Sequence, residues 1–268
     1  MFELTEPQIR FGIFIGLFVL LAVLEFMVPR RMPKPVKARR WFTNWAIIVI
    51  DSVVVRVLFA SAAVGAALWA SSNGYGLFNI VPVPEWLAII ICFVVLDFSI
   101  WLTHLASHKI PILWKIHRMH HSDVDIDVST AIRFHPIEIA LSMAWKIGVV
   151  IALGAPAVSV LIFEIVLNGA AMFNHSNFKI PLSVDRILRW IIVTPDMHRV
   201  HHSIIHNETD SNYGFNLAIW DRMFKTYIAQ PQEGHDGMTI GLSEWQDEKP
   251  TQLWWTLKVP FVRQNENG

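Results

Sequence analysis

Twelve histidines stand in this chain of 268 residues, and nine of them fall in or beside three short boxes. The first box reads His104-Leu-Ala-Ser-His108. The second reads His117-Arg-Met-His120-His121 and the third His198-Arg-Val-His201-His202, with His175 upstream of the last. Imidazole is the commonest metal-binding side chain, and its neutral nitrogen suits iron, zinc or copper. On a helix, residues four apart share a face, so His104 with His108, His117 with His121 and His198 with His202 can each point at one ion. His120 and His201 sit on the same side at three-residue spacing, and adjacent histidines diverge enough to reach a second ion. Eight box histidines are too many for one four- to six-coordinate metal and suit two.

Other polar residues stand near the boxes. Asp97 falls seven residues before His104 on the same stripe of an apolar segment. An acid that deep is functional or paired, so it either accepts the second N–H of a metal-binding histidine or pairs with Arg56. Glu164, Asn168 and His175 share one face of the last apolar segment. Glu164 and Asn168 are candidates for a substrate cavity, and Glu164 alternatively pairs with Arg56 or Lys146. His135, just before Pro136, is a candidate extra ligand, a partner of a ligand, or a helix-start residue without metal. His206 extends the His202 face outside the ligand set, and His235, in a glycine-rich tail segment, reads as solvated. Asp123, Asp125 and Asp127 form an acidic ladder, expected to pair with Arg118 and Arg199 rather than to bind metal. Asp51 reads as lying near the end of its helix and is given no role.

The elements that must position these residues are apolar. The chain is 53% hydrophobic and only 16% charged, where a soluble domain is nearer a quarter charged. Apolar segments run over 11–28, 44–70, 85–105, 137–153 and 156–173, each about long enough to cross ~30 Å of hydrocarbon. The last two, broken at Gly154-Ala155-Pro156, are two short crossing helices or one re-entrant hairpin. The expected fold is all-α, a polytopic membrane bundle of four or five spans with a helical cap carrying the metal site. Residues 11–28 read as a retained first span rather than a cleaved signal, since a basic n-region and a cleavage site are both missing. Three regions follow: spans and a basic loop over 1–84, a catalytic region over 85–230, and a polar tail over 231–268.

Loop 29–41 carries Arg30, Arg31, Lys34, Lys37, Arg39 and Arg40 and no acid, whereas loop 71–84 has no Lys or Arg. The positive-inside rule puts 29–41 in the cytoplasm, and span parity then brings all three boxes and His175 to that same face. The formal net charge is zero, so nothing points to a nucleic-acid partner. The one cysteine, Cys92, excludes a thiolate-held iron–sulfur cluster or zinc site within the chain, so any electron carrier must be a separate protein.

With the text around them, the boxes resemble the fatty acid hydroxylase / sterol desaturase superfamily of membrane di-iron oxygenases. Its pattern of HxxxH, HxxHH and HxxHH is met by the boxes above. Further matches are Arg133-Phe-His-Pro-Ile-Glu138, Asn174-His175-Ser176-Asn177 and the stretch from Asn212-Tyr-Gly to Trp220-Asp221, and the resemblance covers roughly 90–230. It implies two Fe ions held by His104, His108, His117, His120, His121, His198, His201 and His202, with His175 matching an isolated family histidine. Some members have a further histidine where Ala171 stands here, which leaves His135 as its candidate substitute. Leu105 replaces the arginine common after the first box histidine. The resemblance also implies O2 as co-substrate, a membrane lipid or sterol-like substrate hydroxylated or desaturated at an unactivated C–H bond, and a separate donor of cytochrome b5, ferredoxin or rubredoxin type. Lys109, Arg118, Arg199 and Lys225 are the basic residues offered for its docking. The compact form leans towards a bacterial inner-membrane enzyme.

Two other classes compete. A membrane zinc-dependent lipid hydrolase needs three imidazoles and a water, fewer than are present. A non-enzymatic metal-binding membrane protein, such as a transporter, places its ligands within the spans rather than at their ends.

Overall fold

Apolar runs bounded by turn signals become helices, and five stretches are long and apolar enough to cross a membrane. The computed structural model describes residues 5–59 and 61–262, and the end of the polar tail lies outside the described residues. The first span is α1 (Glu6–Met27), where Gln8 Oε1 accepts the N–H of Thr5 at 2.9 Å, part of a capping box. The second is a broken rod made of α2 (Lys37–Leu58) and α3 (Ala62–Ser72), followed by the short α4 (Leu77–Ile80). α5 (Glu85–Lys109) starts after Pro84 and carries the first box in its last turns. α6 (Pro111–His121) carries the second box; Pro111 sits in its first turn, where a missing N–H leaves no bond unmade.

α7 (Pro136–Leu153) and α8 (Ala157–His175) are two separate helices, each long and apolar enough to cross a membrane. At 18 and 19 residues, each is about 27–29 Å long. Gly154 ends α7 in the left-handed conformation at φ +63°, and Pro156 sets up α8. A side chain on Gly154 would also strike Tyr75 O, 2.9 Å from where its Cβ would stand, so the 73–80 loop seats on this turn.

The outward faces suit lipid: Phe26, Val53, Val57, Leu68 and Trp69 keep half or more of their surface open. Inside, Ala63 and Ala67 of α3, Leu96 and Ile100 of α5, Val150 of α7 and Phe163 of α8 form one buried column. Phe18 and Leu21 of α1 pack on Met172 of α8 and on a 3-10 turn, Val128–Ile132.

Over the histidine-bearing ends of the spans lies a cap of short helices: α9 (Leu182–Leu188), α10 (Pro195–His201), α11 (His206–Thr209), α12 (Ile219–Met223), α13 (Gly234–Gly237) and α14 (Leu253–Lys258). Ion pairs tie α2 to the 122–127 segment that follows α6. Arg40 is fully buried and grips Asp123 at 2.6 and 2.8 Å and Asp127 at 2.9 Å. Asp125 instead accepts the N–H of Lys34 at 3.0 Å. The acidic ladder is therefore an ion-pairing element, but its partner is Arg40 and not Arg118 or Arg199. Arg118 donates to the carbonyls of Val259 and Val262, and Arg199 to Ser176 O and Asp196. Both are buried, which removes them from the docking surface expected for an electron donor. Lys109 remains half exposed and pairs with Asp210 at 2.6 Å.

Candidate metal centre

Thr194 accepts the N–H of Met197 at the start of α10 and Pro195 occupies the first turn, so the third box begins as a helix despite its short length. The cap then folds this box against the ends of α5, α6 and α8. Nine histidines meet there, all buried. They divide into two sets, each with its nearest ring nitrogens within 4.8 Å of one another: His104, His108, His117, His121 and His201, and then His120, His175, His198 and His202. The division crosses the boxes. In the second box the pair four apart, His117 and His121, joins the larger set while His120 joins the smaller. In the third box the pair His198 and His202 joins the smaller set while His201 joins the larger. The two sets abut, with His121 and His202 stacked at 4.7 Å between ring centroids.

The nitrogen spacings fit a shared cation. Nε2 of His104 lies 3.2 Å from that of His117, His175 lies 3.1 Å from His120, and His198 lies 3.0 Å from His175. Two nitrogens bound to one metal at ~2.1 Å stand about 3.0–3.4 Å apart in octahedral or tetrahedral geometry. Their outer nitrogens show which tautomer is present. Nδ1 of His104 donates to Tyr213 O at 2.7 Å, His120 to Arg133 O at 3.0 Å, His175 to Ala171 O at 2.7 Å and His201 to Ser211 O at 2.7 Å. A carbonyl can only accept, so each Nδ1 carries the proton and each Nε2 presents a lone pair inward. His117 Nδ1 meets Glu138 Oε1 at 2.6 Å.

Both ring nitrogens of His108, His121 and His202 are buried without a hydrogen-bond partner, as is Nε2 of His201. Buried polar atoms are normally satisfied, and a cation would satisfy one nitrogen of each ring. Burial and the neighbouring imidazoles hold His120, His121, His198 and His202 well below the ordinary imidazole range, and His201 down to about 3. These five are neutral at pH 7, the form that ligates. The donor set therefore fits metal.

Aromatic rings line the centre. Phe134 stacks on His120 at 4.4 Å, and Phe215 packs on His104 at 5.1 Å and His198 at 5.8 Å. Both rings join the apolar column that runs down the bundle. Trp114 lies against His108 at 5.0 Å and His121 at 5.5 Å.

The structure also places the histidines that stand apart from the boxes. His135 joins neither set: its Nδ1 accepts the N–H of Ile137 and its Nε2 donates to Leu257 O, so it caps α7 and ties down the tail. It does not stand in for a ligand at Ala171, whose carbonyl already holds His175. His206 is exposed, 3.6 Å from Asp210, and outside both sets. His235 is buried 3.5 Å from Asp196 rather than solvated.

Asp97 neither touches a histidine of the centre nor pairs with Arg56. It accepts Asn216 Nδ2 at 2.8 Å, Leu217 N at 3.3 Å and Trp220 Nε1 at 2.7 Å. Asp221 accepts Trp101 Nε1 at 3.0 Å, Tyr213 N at 2.9 Å, Gly214 N at 2.8 Å and Thr226 Oγ1 at 2.7 Å. The two acids clamp the 211–221 loop, whose carbonyls in turn orient His104 and His201. Gly214 permits the close approach: a Cβ there would stand 2.9 Å from Val193 Cγ2 and 3.0 Å from Asp221 Oδ2.

Glu164 is bridged by Lys146 at 2.9 Å and Arg10 at 2.7 Å, a structural triad within the spans. Asn168 borders a crevice of about 20 Å³ between α1 and α8, too small for an alkyl chain. A cavity of about 260 Å³ lies at the opposite end of the bundle, beside Asn79, Glu85 and Ala155.

Residues that spacing did not single out include Glu138, Tyr213, Phe134 and Trp114. Glu138 carried one usable signal, an acid in the first turn of a proline-started helix within a motif already quoted. Phe134 and Tyr213 also lie in motifs already quoted, and Trp114 stands one turn before His117 on α6, but their contacts with the other elements come from tertiary packing.

Comparison with known proteins agrees with this geometry. A family model for fatty acid hydroxylase matches residues 89–226, just over half of the chain. The chain is 34% identical over 148 residues to alkylglycerol monooxygenase of Xenopus tropicalis, covering 55% of this chain and 32% of that protein. It is 30% identical over 152 residues to ornithine lipid hydroxylase OlsE of Rhizobium tropici, covering 56% and 44%. Cholesterol 25-hydroxylase of Rattus norvegicus is 24% identical over 147 residues, covering 53% and 47%. The match thus spans less than half the length of each of these three relatives. No solved structure matches at a significant level. Five membrane-length apolar helices, a divided nest of nine buried histidines and the family match together make the chain an integral membrane member of the fatty acid hydroxylase family.

Proposed function

We propose that this protein is a membrane lipid hydroxylase whose nine buried histidines hold two iron ions. The observation that carries the reading is the crossed division of the boxes into sets of five and four, with inward nitrogens 3.0–3.2 Å apart. His104, His108, His117, His121 and His201 would hold one ion, and His120, His175, His198 and His202 the other. When bound, iron would supply O2 reduction coupled to C–H oxidation: one oxygen atom enters the C–H bond and the other leaves as water, consuming two electrons and two protons.

The chain's own residues hold and shield the centre. Backbone carbonyls of Tyr213, Arg133, Ala171 and Ser211 lock the tautomers, so the imidazoles are oriented before metal arrives. Phe134 and Phe215 form an apolar floor that excludes water and faces the bundle interior, the side from which a lipid chain would approach. The basic 29–41 loop lies at the histidine end, which supports a cytoplasmic metal face, in a bacterial inner membrane if the source is bacterial. Electrons would come from a separate carrier of cytochrome b5, ferredoxin or rubredoxin type, meeting the exposed Lys109 and Lys225.

The three relatives named above are a monooxygenase and two hydroxylases acting on an alkylglycerol, an ornithine lipid and a sterol, which favours hydroxylation over desaturation. Metal analysis of the purified full chain tests the reading. About two irons per chain is expected, falling to about one in His120→Ala and in His201→Ala because each set loses a member. A single zinc, or unchanged iron in both variants, would overturn it.

A further inference from the structure

One buried face of α2 runs through Arg40, Asn44, Ile47 and Asp51. Three of the four have partners. Arg40 holds Asp123 and Asp127, Asn44 Nδ2 donates to Ser129 Oγ at 3.0 Å, and Ile47 packs in a cluster with Met119. Asp51 stands 6% exposed, and its Oδ1 has no hydrogen-bond partner among the described residues. The charged group whose field reaches it is Glu138 of α7, a helix packed on α2. Glu138 spends one oxygen on His117 Nδ1, and its other oxygen, Oε2, is likewise buried without a partner. Two carboxylates with spare acceptor oxygens thus lie near one another beside the centre, and no cation is paired with Asp51 among the described residues.

Their depth is informative. Asp51 stands one turn further along α2 than Ile47, which packs in one cluster with Met119 of the second box. His104 lies 19 residues after Glu85, where α5 begins, or about 29 Å. That distance matches the ~30 Å hydrocarbon thickness and puts the centre at head-group level, with Asp51 one turn from the α2 residue that packs on the second box. Asp51 is not near the end of its helix, as its sequence position suggested, because α2 already begins at Lys37, fourteen residues earlier. An acid kept at such a place without a partner marks a site whose partner comes from outside.

We propose that Asp51, with the free oxygen of Glu138, accepts hydrogen bonds from the head group of the lipid substrate, a head group bearing hydroxyl or ammonium donors beside its alkyl chain. The inference rests on the lipid hydroxylase reading and names its substrate class. A lipid anchored beside His117 brings carbons close to its head group, rather than the far end of its chain, to the metal.

The test uses the full chain in detergent micelles with three probes: hexadecane-1,2-diol, hexadecylamine and 1,2-dimethoxyhexadecane, which has the same chain but no donor. The concentration giving half-maximal thermal stabilisation is read for each, and iron content is measured on the same samples. A hydrogen bond to a buried carboxyl oxygen is worth about tenfold in affinity, so a donor-bearing probe is expected to act at about one-tenth the concentration of the dimethoxy probe. Preference for the diol identifies a hydroxyl head, preference for the amine an ammonium head, and either supports the proposal. Asp51→Leu should abolish the preference and Asp51→Asn should weaken it, with iron content unchanged in both. Equal action of all three probes on the unmodified chain, or a preference that survives Asp51→Leu, would overturn the proposal. Unchanged iron in these samples would leave the metal reading standing even then.

Discussion

Glu138 Oε1 lies 2.6 Å from Nδ1 of His117, joining the first turn of α7 to the middle of the second box. The other oriented histidines of the centre donate to backbone carbonyls; this one meets a charge. A carboxylate there holds the proton on Nδ1 and fixes Nε2 toward the other histidines of its set.

Removing that carboxylate should weaken metal binding more than it weakens the fold. Glu138→Ala is expected to lower metal affinity about 10- to 100-fold, and Glu138→Gln, which still accepts a hydrogen bond, by less. Competition with a chelator of known affinity measures this. Equal affinity in Glu138→Ala and the unmodified chain would show that His117 is oriented by packing alone.

Asp221 is fully buried and accepts four donors from α5 and the 211–226 segment. Asp221→Ala strands those donors, at a cost of about 3 kcal/mol or more. It also frees the loop that orients His104. A lower melting temperature together with lost metal is expected; loss of stability with full metal retention would separate the loop from the centre.

Arg40 supplies the cation for both Asp123 and Asp127 in a site without solvent. Arg40→Ala leaves two buried carboxylates uncompensated, and such losses cost about 3–5 kcal/mol. Arg40→Lys should rescue only partly, because lysine cannot reproduce the forked contact at 2.6 and 2.8 Å. Thermal unfolding of the three proteins in the same detergent decides it, and a lysine variant as stable as the parent would contradict the geometric argument.

The metal-free chain should be acid-sensitive in a defined window. Burial pushes His201 down to about 3 and His235 down to about 4, from an ordinary value of 6.5. The unfolded chain therefore takes up protons first as pH falls. The stability from neutral burial is intact above about pH 6.5 and is lost as pH drops toward 4, at up to roughly 1.4 kcal/mol per pH unit for each histidine. Melting temperature is expected to fall across pH 6.5–4, less steeply in His235→Gln. A flat profile in the metal-free chain would refute this account.

Sequence alone determined the features that depend on local repetition. Spacings of three and four put the box histidines on shared helix faces, and five apolar runs set the spans, because helical period and hydropathy are properties of neighbouring residues. The text around the boxes likewise carried the family. Tertiary structure decided what depends on residues far apart in the chain. It brought His201 to His104 and His120 to His175, splitting each HxxHH box between two sets, which spacing could only allow. It gave the acidic ladder to Arg40, more than eighty residues away, and buried Arg118 and Arg199 where sequence suggested an open basic surface. It made Asp97, expected to partner either a ligand or Arg56, an anchor of the loop that orients a ligand, and among the roles open to His135 it chose the helix cap. These outcomes follow from which backbone carbonyls and side chains converge once the cap closes over the spans, and no local pattern encodes that convergence.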